Sequence, residues 1–353
     1  MGQENVLKAS AIPVYDLSAM TAKRIASYWV RQASPFLSIL PGDLQTVFID
    51  PQVHDLEALG VEIRYDSEVY DVVMHEGAVA AVALRDGTEV SGDVYAFCTP
   101  FEVTRTWLHD SLYEADPELG NVHFLEAQPM AALHLRVRRE LPDLPLEHVF
   151  LHGSHYGLSF IDVGRYWKEL DGKHQLSFIS SNYGPLNAVS KEGAKNLLLK
   201  EIGEYLPITP ADVESWELNP NTGVPLFINT IGAWPNRPRP KTKIKNLYLA
   251  GDYVKNAIDL ACMEGAVSAA LEAAAQILSD HGEIESLPIV QIPPEWPRAL
   301  LVFARILLIP VVAVARGIAW LEEKFSPHRP DASGVRIQAT PKLQMDPRPP
   351  RKR

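Results

Sequence analysis

Cysteine is nearly absent: Cys98 and Cys262 are the only two in 353 residues. That excludes a disulfide scaffold and a cysteine-rich zinc module, and it fits a reducing compartment. Net positive charge is missing as well. Lys and Arg total 33 against 44 Asp and Glu, a formal charge of −11, so no broad basic face is available and no nucleic-acid partner is expected. The opening MGQENVLKAS has no basic stretch leading into an apolar one, so no secretory signal is read there. No internal repeat is visible. No two of the 21 glycines stand two positions apart, so the G-x-G of a dinucleotide-binding loop occurs nowhere.

What is present supports a folded chain. Hydrophobic residues make up 46% and charged residues 22%, enough for a packed core, and the length favours two domains. Charge is uneven. Residues 331–353 hold Arg336, Lys342, Arg348, Arg351, Lys352 and Arg353 against Asp331 and Asp346, a local +4 that leaves −15 on the rest. With Pro341, Pro347, Pro349 and Pro350 and little apolar periodicity, 330–353 reads as a disordered basic tail.

Along the chain, 18–33 has helical periodicity with Met20, Ile25, Tyr28 and Trp29 available for burial, and Pro35 ends it. A second helix is expected from Pro51 to Leu59, closed by Gly60. Strands follow at Val61–Tyr65, Val69–Met74 and Ala78–Leu84, with Asp86-Gly87 as a hairpin turn into Thr88–Ser91. Val94–Cys98 is almost wholly apolar, as a strand buried on both faces would be, and this makes Cys98 an inert buried thiol. Met130–Leu135 and Ser177–Ile179 read as strands of a second, α+β domain. Ser190 caps a helix running to Tyr205 with Leu197, Leu198, Ile202 and Leu206 on one face. Asn246–Ala250 is a short buried strand ending in Gly251-Asp252, and Met263 opens an alanine-rich helix to about Leu278.

Ala299–Leu321 is 23 residues long with Arg305 and Arg316 as its only charges, flanked by Trp296 and Trp320 and divided by Pro310. The length suffices for a membrane span, but two arginines away from its ends make a span costly. A pair of interfacial helices kinked at Pro310 is expected, at a membrane surface. A helix packed on the body is the alternative.

The chemistry concentrates where the short buried strand ends. A strand that delivers a glycine and a carboxylate to its C-terminal edge suits an α/β ligand site. Gly251 lets backbone approach a ligand, Asp252 can accept from ribityl or ribose hydroxyls, and the helix after Cys262 aims N–H groups forward. Other groupings were weighed and set aside. His148, His152 and His155 sit on a glycine-containing loop that is no platform for zinc, so no metal is expected. Gly153-Ser154-His155-Tyr156-Gly157 has its serine one position off a nucleophile elbow.

Asn246-Leu247-Tyr248-Leu249-Ala250-Gly251-Asp252-Tyr253 followed by Met263-Glu264-Gly265-Ala266-Val267 resembles the C-terminal signature of flavin-dependent amine oxidoreductases. Leu40-Pro41-Gly42-Asp43-Leu44-Gln45, Gly60-Val61-Glu62-Ile63, Glu68-Val69 before the Asp86-Gly87 hairpin, and Phe97-Cys98-Thr99-Pro100 are similar to its phytoene and carotenoid desaturase-like branch. The resemblance covers 38–106 and 240–280. It implies an α/β (α+β) chain. Segments 38–106 and 240–280 would form a partial, glutathione-reductase-like FAD-binding domain. The inserted α+β substrate domain would be 107–239, with a helical segment at 1–37 and apolar C-terminal helices at 290–329. It implies FAD as cofactor. Val69 would meet the adenine through its backbone, and Thr99 and Pro100 would lie near the cofactor. Gly251 and Asp252 would serve the pyrophosphate–ribityl region, and Met263, Glu264, Gly265 and Ala266 would face the flavin ring.

The family opens with a βαβ unit bearing G-x-G-x-x-G, which this sequence lacks. The chain is a fragment, or a partner chain carries the Rossmann half, or FAD has been lost. The expected activity is hydride transfer from an apolar, isoprenoid-like substrate to flavin, by a cytoplasmic, peripherally membrane-associated protein. The alternative is a truncated, non-catalytic homologue or docking subunit. No catalytic residue is assigned.

Overall fold

The computed structural model describes residues 12, 13, 15–31, 39–141, 144–170, 172–283, 287–289 and 298–325. Pro35, Trp296 and the basic tail 330–353 lie outside them. Contacts divide the chain into units 1–292 and 293–353, each taken by itself.

In the first unit, α1 is Ala19–Arg31. It turns Thr21 inward and leaves Met20 exposed, because its inner face meets the buried carboxylate of Asp259. A π turn, Gln45–Ile49, runs into α2, Asp50–Ala58, which stops at Gly60 with φ +85°. The expected strand at 61–65 does not form. Val61 and Tyr65 are exposed and, among the described residues, no strand lies beside them to complete a ladder.

An antiparallel meander follows: β1 (Val69–His75), β2 (Ala78–Leu84) and β3 (Glu89–Val90). Glu76 and Gly77, at φ +47° and +77°, make the first turn, as the right-handed strand twist favours. β4 (Tyr95–Phe97) comes next. Tyr95 and Phe97 point into the core, and Phe97 meets Trp107 edge-on at 5.2 Å. Ala96 and Cys98 are exposed on the other face. This corrects the expectation of a strand buried on both sides with an enclosed thiol: among the described residues, nothing covers that face.

Two short helices, α3 (Phe101–Trp107) and α4 (Asp110–Ala115), lead to β5 (Glu126–Gln128). The insertion then builds its own sheet from β6 (Ala131–Val137), β7 (Val149–Phe150), β8 (Leu158–Asp162) and β9 (His174–Ser180). Helix α5 (Lys191–Ile202) and strand β10 (Val213–Pro220) complete it. The order is β10-β6-β9-β8-β7, antiparallel throughout. Alternation in β6 sends Leu133 and Leu135 inward against Phe178, Leu158 and the Leu198–Ile202 face of α5. Each such fully buried side chain contributes about 1.5–3 kcal/mol. The Ser190 Oγ accepts from the Gly193 N–H at 3.2 Å as the expected cap, whereas Leu197 turns outward.

β11 (Leu226–Ile228) pairs with β5, and the single turn α6 (Ala233–Asn236) precedes β12 (Leu247–Leu249) and α7 (Met263–Asp280). Leu112, Leu119, Val122 and Phe227 share a core with Val72, Phe97, Leu247 and Leu249. Asn246 ties the meander to this core: its Oδ1 accepts from Val79 N–H at 2.9 Å and its Nδ2 donates to Val79 O at 2.8 Å.

The second unit holds α8, Arg298–Phe325. It is one continuous helix with Pro310 inside it, not the expected pair of helices. Its 28 residues span about 42 Å. Among the described residues, no helix is long and apolar enough to cross a membrane.

Candidate functional site

β4 and β12 run parallel, with Tyr95 opposite Leu247 and Phe97 opposite Leu249. Ala250 N–H extends the pairing to Phe97 O at 2.9 Å. Thr99-Pro100 and Gly251-Asp252 therefore leave the sheet side by side at one carboxyl edge, where parallel sheets bind ligands. Gly251 has φ +148°, and a Cβ there would stand 2.9 Å from Tyr253 Cε1 and 3.5 Å from Thr99 O. Hydroxyls line up behind this edge: Thr99 Oγ1 lies 2.9 Å from Thr104 Oγ1, which lies 3.1 Å from the buried Tyr253 hydroxyl.

Two carboxyls belong to the site. Burial pushes Asp252 above the usual carboxylate range, opposed by the Tyr253 N–H and the charge of Arg237. Burial also pushes Glu102 up, opposed by its own backbone N–H and Arg105 and reinforced by Asp252. Both Glu102 oxygens are buried and, among the described residues, have no hydrogen-bond partner. An unpaired buried carboxylate is costly, so the neutral acid is favoured.

Val69 and Thr99 line one cavity of about 710 Å³, together with Glu102, Val103 and Trp107, and Glu68 and Arg85 pair across 2.6 Å beside it. That volume lies within the ~300–1,000 Å³ of small-molecule sites. The Val69 carbonyl already accepts from the Trp107 indole at 2.9 Å, which fixes the strand at the cavity wall.

Met263, Glu264, Gly265 and Ala266 form the first turn of α7. Met263 and Glu264 are exposed, Gly265 is buried and Ala266 half-buried. Cys262 Sγ caps the helix by accepting from the Gly265 N–H at 3.4 Å, and burial pushes its thiol up to about 11. Gly265 has a local reason to be glycine: a Cβ would stand 2.5 Å from the Leu260 carbonyl.

The structure thus gathers Thr99, Pro100, Gly251 and Asp252 at one edge, sets Val69 and Thr99 on the wall of one cavity, and presents Met263–Ala266 at a helix start. The bare backbone at Gly251, the cavity and the orphaned Glu102 carboxyl fit the nucleoside and ribityl parts of a flavin dinucleotide. No glycine-rich loop is present for its pyrophosphate. Sequence reasoning missed Glu102, Thr104, Tyr253, Arg237 and Asp259. Nothing in Asn236-Arg237-Pro238-Arg239-Pro240 separates the buried arginine from its neighbour. Among the described residues, no three metal-ligating side chains come together.

A parallel strand pair with a Gly-Asp at its carboxyl edge, together with an antiparallel five-stranded sheet, makes this a mixed α/β protein. The chain belongs to the family of flavin containing amine oxidoreductases, whose model matches residues 46–278. FAD is the cofactor this membership implies. Similar proteins include the 15-cis-phytoene desaturase of Solanum lycopersicum, 23% identical over 69% of this chain and 43% of that protein. The same enzyme of Capsicum annuum is 26% identical over 69% and 43%. The chain therefore spans less than half the length of these relatives. Among solved structures, cyclohexylamine oxidase from Brevibacterium oxydans matches with TM-score 0.55 and 14% identity, over 80% of this chain and 64% of that one. An oxidoreductase from Methanosarcina mazei matches at 0.53 and 16%, over 78% and 63%. At such identities the likeness shows the fold.

Proposed function

We propose that this chain supplies the Gly-Asp edge and the insertion of an FAD-dependent oxidoreductase, completed by a separate chain that carries the glycine-rich loop. The carrying observation is the shared carboxyl edge of Thr99-Pro100 and Gly251-Asp252 in a chain of this family. Bound flavin would supply the acceptor for a hydride from an apolar, isoprenoid-like substrate. The chain's own residues would bind the cofactor, orient it and exclude water. The phytoene desaturases among its relatives favour that substrate class.

The free side of β4 favours a partner chain. On β12 the outer edge is satisfied: Leu249 N–H donates to Pro240 O at 2.7 Å, and Leu247 O accepts from Thr242 Oγ1 at 2.7 Å. β4 has β12 on one side and, among the described residues, no strand on the other. Parallel sheets are normally covered on both faces and extended beyond two strands. A second reading, a non-catalytic docking subunit, is favoured by the absence of any G-x-G.

The test is a visible absorption spectrum of the purified chain, alone and with a co-expressed chain bearing G-x-G-x-x-G. A flavin band only in the pair supports the completed enzyme. A stoichiometrically yellow chain alone removes the need for a partner. No flavin in either preparation favours the docking subunit.

We further infer that α8 lies on a membrane surface, holding a cytoplasmic protein near a lipid-soluble substrate. Phe303, Ile306, Leu307, Ile309 and Val314 are all more than half exposed. Positions 305 and 316 are eleven apart on a continuous helix, so they return to nearly one face. A narrow basic stripe on an apolar helix suits an interface.

A further inference from the structure

Arg237 follows α6 and is wholly buried, among the largest side chains to be so. Its donors are taken by one loop. Nε donates to Tyr253 O at 2.8 Å, and Nη2 to Asp252 O at 2.7 Å and Val254 O at 2.6 Å. Nη1 meets Asp259 Oδ1 at 2.5 Å. The rings of Trp234 and Phe227 stand 5.2 and 5.3 Å from its Cζ. Three successive carbonyls converge on one cation only where the chain winds around it. The peptide planes of 252–254 are therefore set by the guanidinium fork, which a lysine could not reproduce.

The far end of the clamp is anchored too. Asp259, at φ +54°, accepts from Thr21 Oγ1 at 2.9 Å and Asn229 Nδ2 at 3.0 Å, and pairs with Arg24 Nη1 at 2.9 Å. Two cations and two neutral donors hold this carboxylate in place. A buried ion pair of this kind is weak evidence for stability, since apolar replacements often serve as well. Its geometry points to another role, because it grips the segment carrying the Gly-Asp.

We propose that Arg237 is a positioning residue for Asp252: it winds the 252–254 backbone about its guanidinium, so that the Asp252 carboxyl is held at the sheet edge with the positive charge set against it. The role toward a flavin rests on the function proposed above; the role toward the carboxyl does not. The charged and titratable groups about Asp252 are Arg237, Glu102 from α3, and the phenol of Tyr253.

The test is a carboxyl-carbon NMR titration of Asp252 in the full chain, in wild type, Arg237→Lys and Arg237→Met. The wild-type midpoint is expected above that of an exposed aspartate. Removing the cation in Arg237→Met is expected to raise it further. Arg237→Lys, which keeps the charge, is expected between the two. A clamp that holds the loop without its charge acting on Asp252 gives the opposite sign: with no charge effect to outweigh it, the loosened loop lets water reach the carboxyl and the midpoint falls. A fall in either variant, an unchanged midpoint in Arg237→Met, or a wild-type value no higher than an exposed aspartate overturns the proposal. If Arg237→Met does not fold, the sign in Arg237→Lys decides. FAD affinity of the same variants, paired with a chain bearing G-x-G-x-x-G, is a separate measurement. Unchanged affinity beside the expected titration would remove the flavin reading of this loop and leave the positioning role standing.

Discussion

The ring of Tyr253 fills the space a side chain on Gly251 would need, with Cε1 2.9 Å and Cδ1 3.1 Å from the place of its Cβ. The glycine of the Gly-Asp pair is thus demanded by the chain itself before any ligand arrives. Tyr253 cannot swing away: it is fully buried, and its hydroxyl is held by Thr104.

Gly251→Ala should therefore destabilise the chain in the absence of any cofactor. A non-glycine residue in this backbone region costs about 1–3 kcal/mol before the ring contact is counted. Urea unfolding measures it, with a lower midpoint and unchanged slope as the expected result. A midpoint equal to wild type would show that the loop relaxes freely.

Glu102→Gln should stabilise the protein at pH 8 and do nothing at pH 4. Burial raises the carboxyl's folded-state pKa above its unfolded value. The folded protein then binds this proton more tightly, and wild type loses stability as pH rises from the unfolded pKa through the folded one. Glutamine does not titrate, so the gap in melting temperature should open upward across that window. A gap that is constant with pH would mean the carboxyl is not the cause.

Asp252→Ala should weaken FAD binding in the completed complex by ~1–3 kcal/mol, the usual cost of removing one partner of a buried hydrogen bond. Flavin fluorescence titration reads it. Equal affinity in variant and wild type would detach Asp252 from the cofactor.

Deleting α8 should abolish flotation with anionic liposomes. The comparison is the whole chain against a version ending near Pro288, with the basic residues of 336–353 adding attraction of ~1 kcal/mol each near the surface. If both forms float or both stay in solution, the helix does not mediate attachment.

The elements with strong local signals were legible in the sequence. The Asp86-Gly87 turn, the Ser190 cap, the start of α7 and the Leu247–Leu249 strand follow from hydrophobic period, capping chemistry and glycine placement. Partners far apart in sequence were not. Val61–Tyr65 has the alternation of a strand but no neighbour to pair with. Ala96 and Cys98 are as apolar as buried residues, yet a strand's composition does not say whether its second face is covered. Gly251 and Asp252 could be named from local pattern, whereas Arg237 and Asp259 act through a fold that brings them together from either side of the Gly-Asp strand end. Glu102 escaped because a glutamate in the first turn of a short helix is usually solvated.

The amide of Asn246 behaves as a peptide group lent by a side chain, giving Val79 the donor and acceptor a neighbouring strand would offer. Two sheets with no shared ladder are thereby hydrogen-bonded as one. Local opening of the meander must break both bonds and leave a half-buried amide unpaired beside the first residue of β12, so the two sheets should open as a single cooperative unit. Amide exchange at Val79 and at Ala250 would then report one common opening free energy, and in Asn246→Ala the meander alone would drop to a lower one.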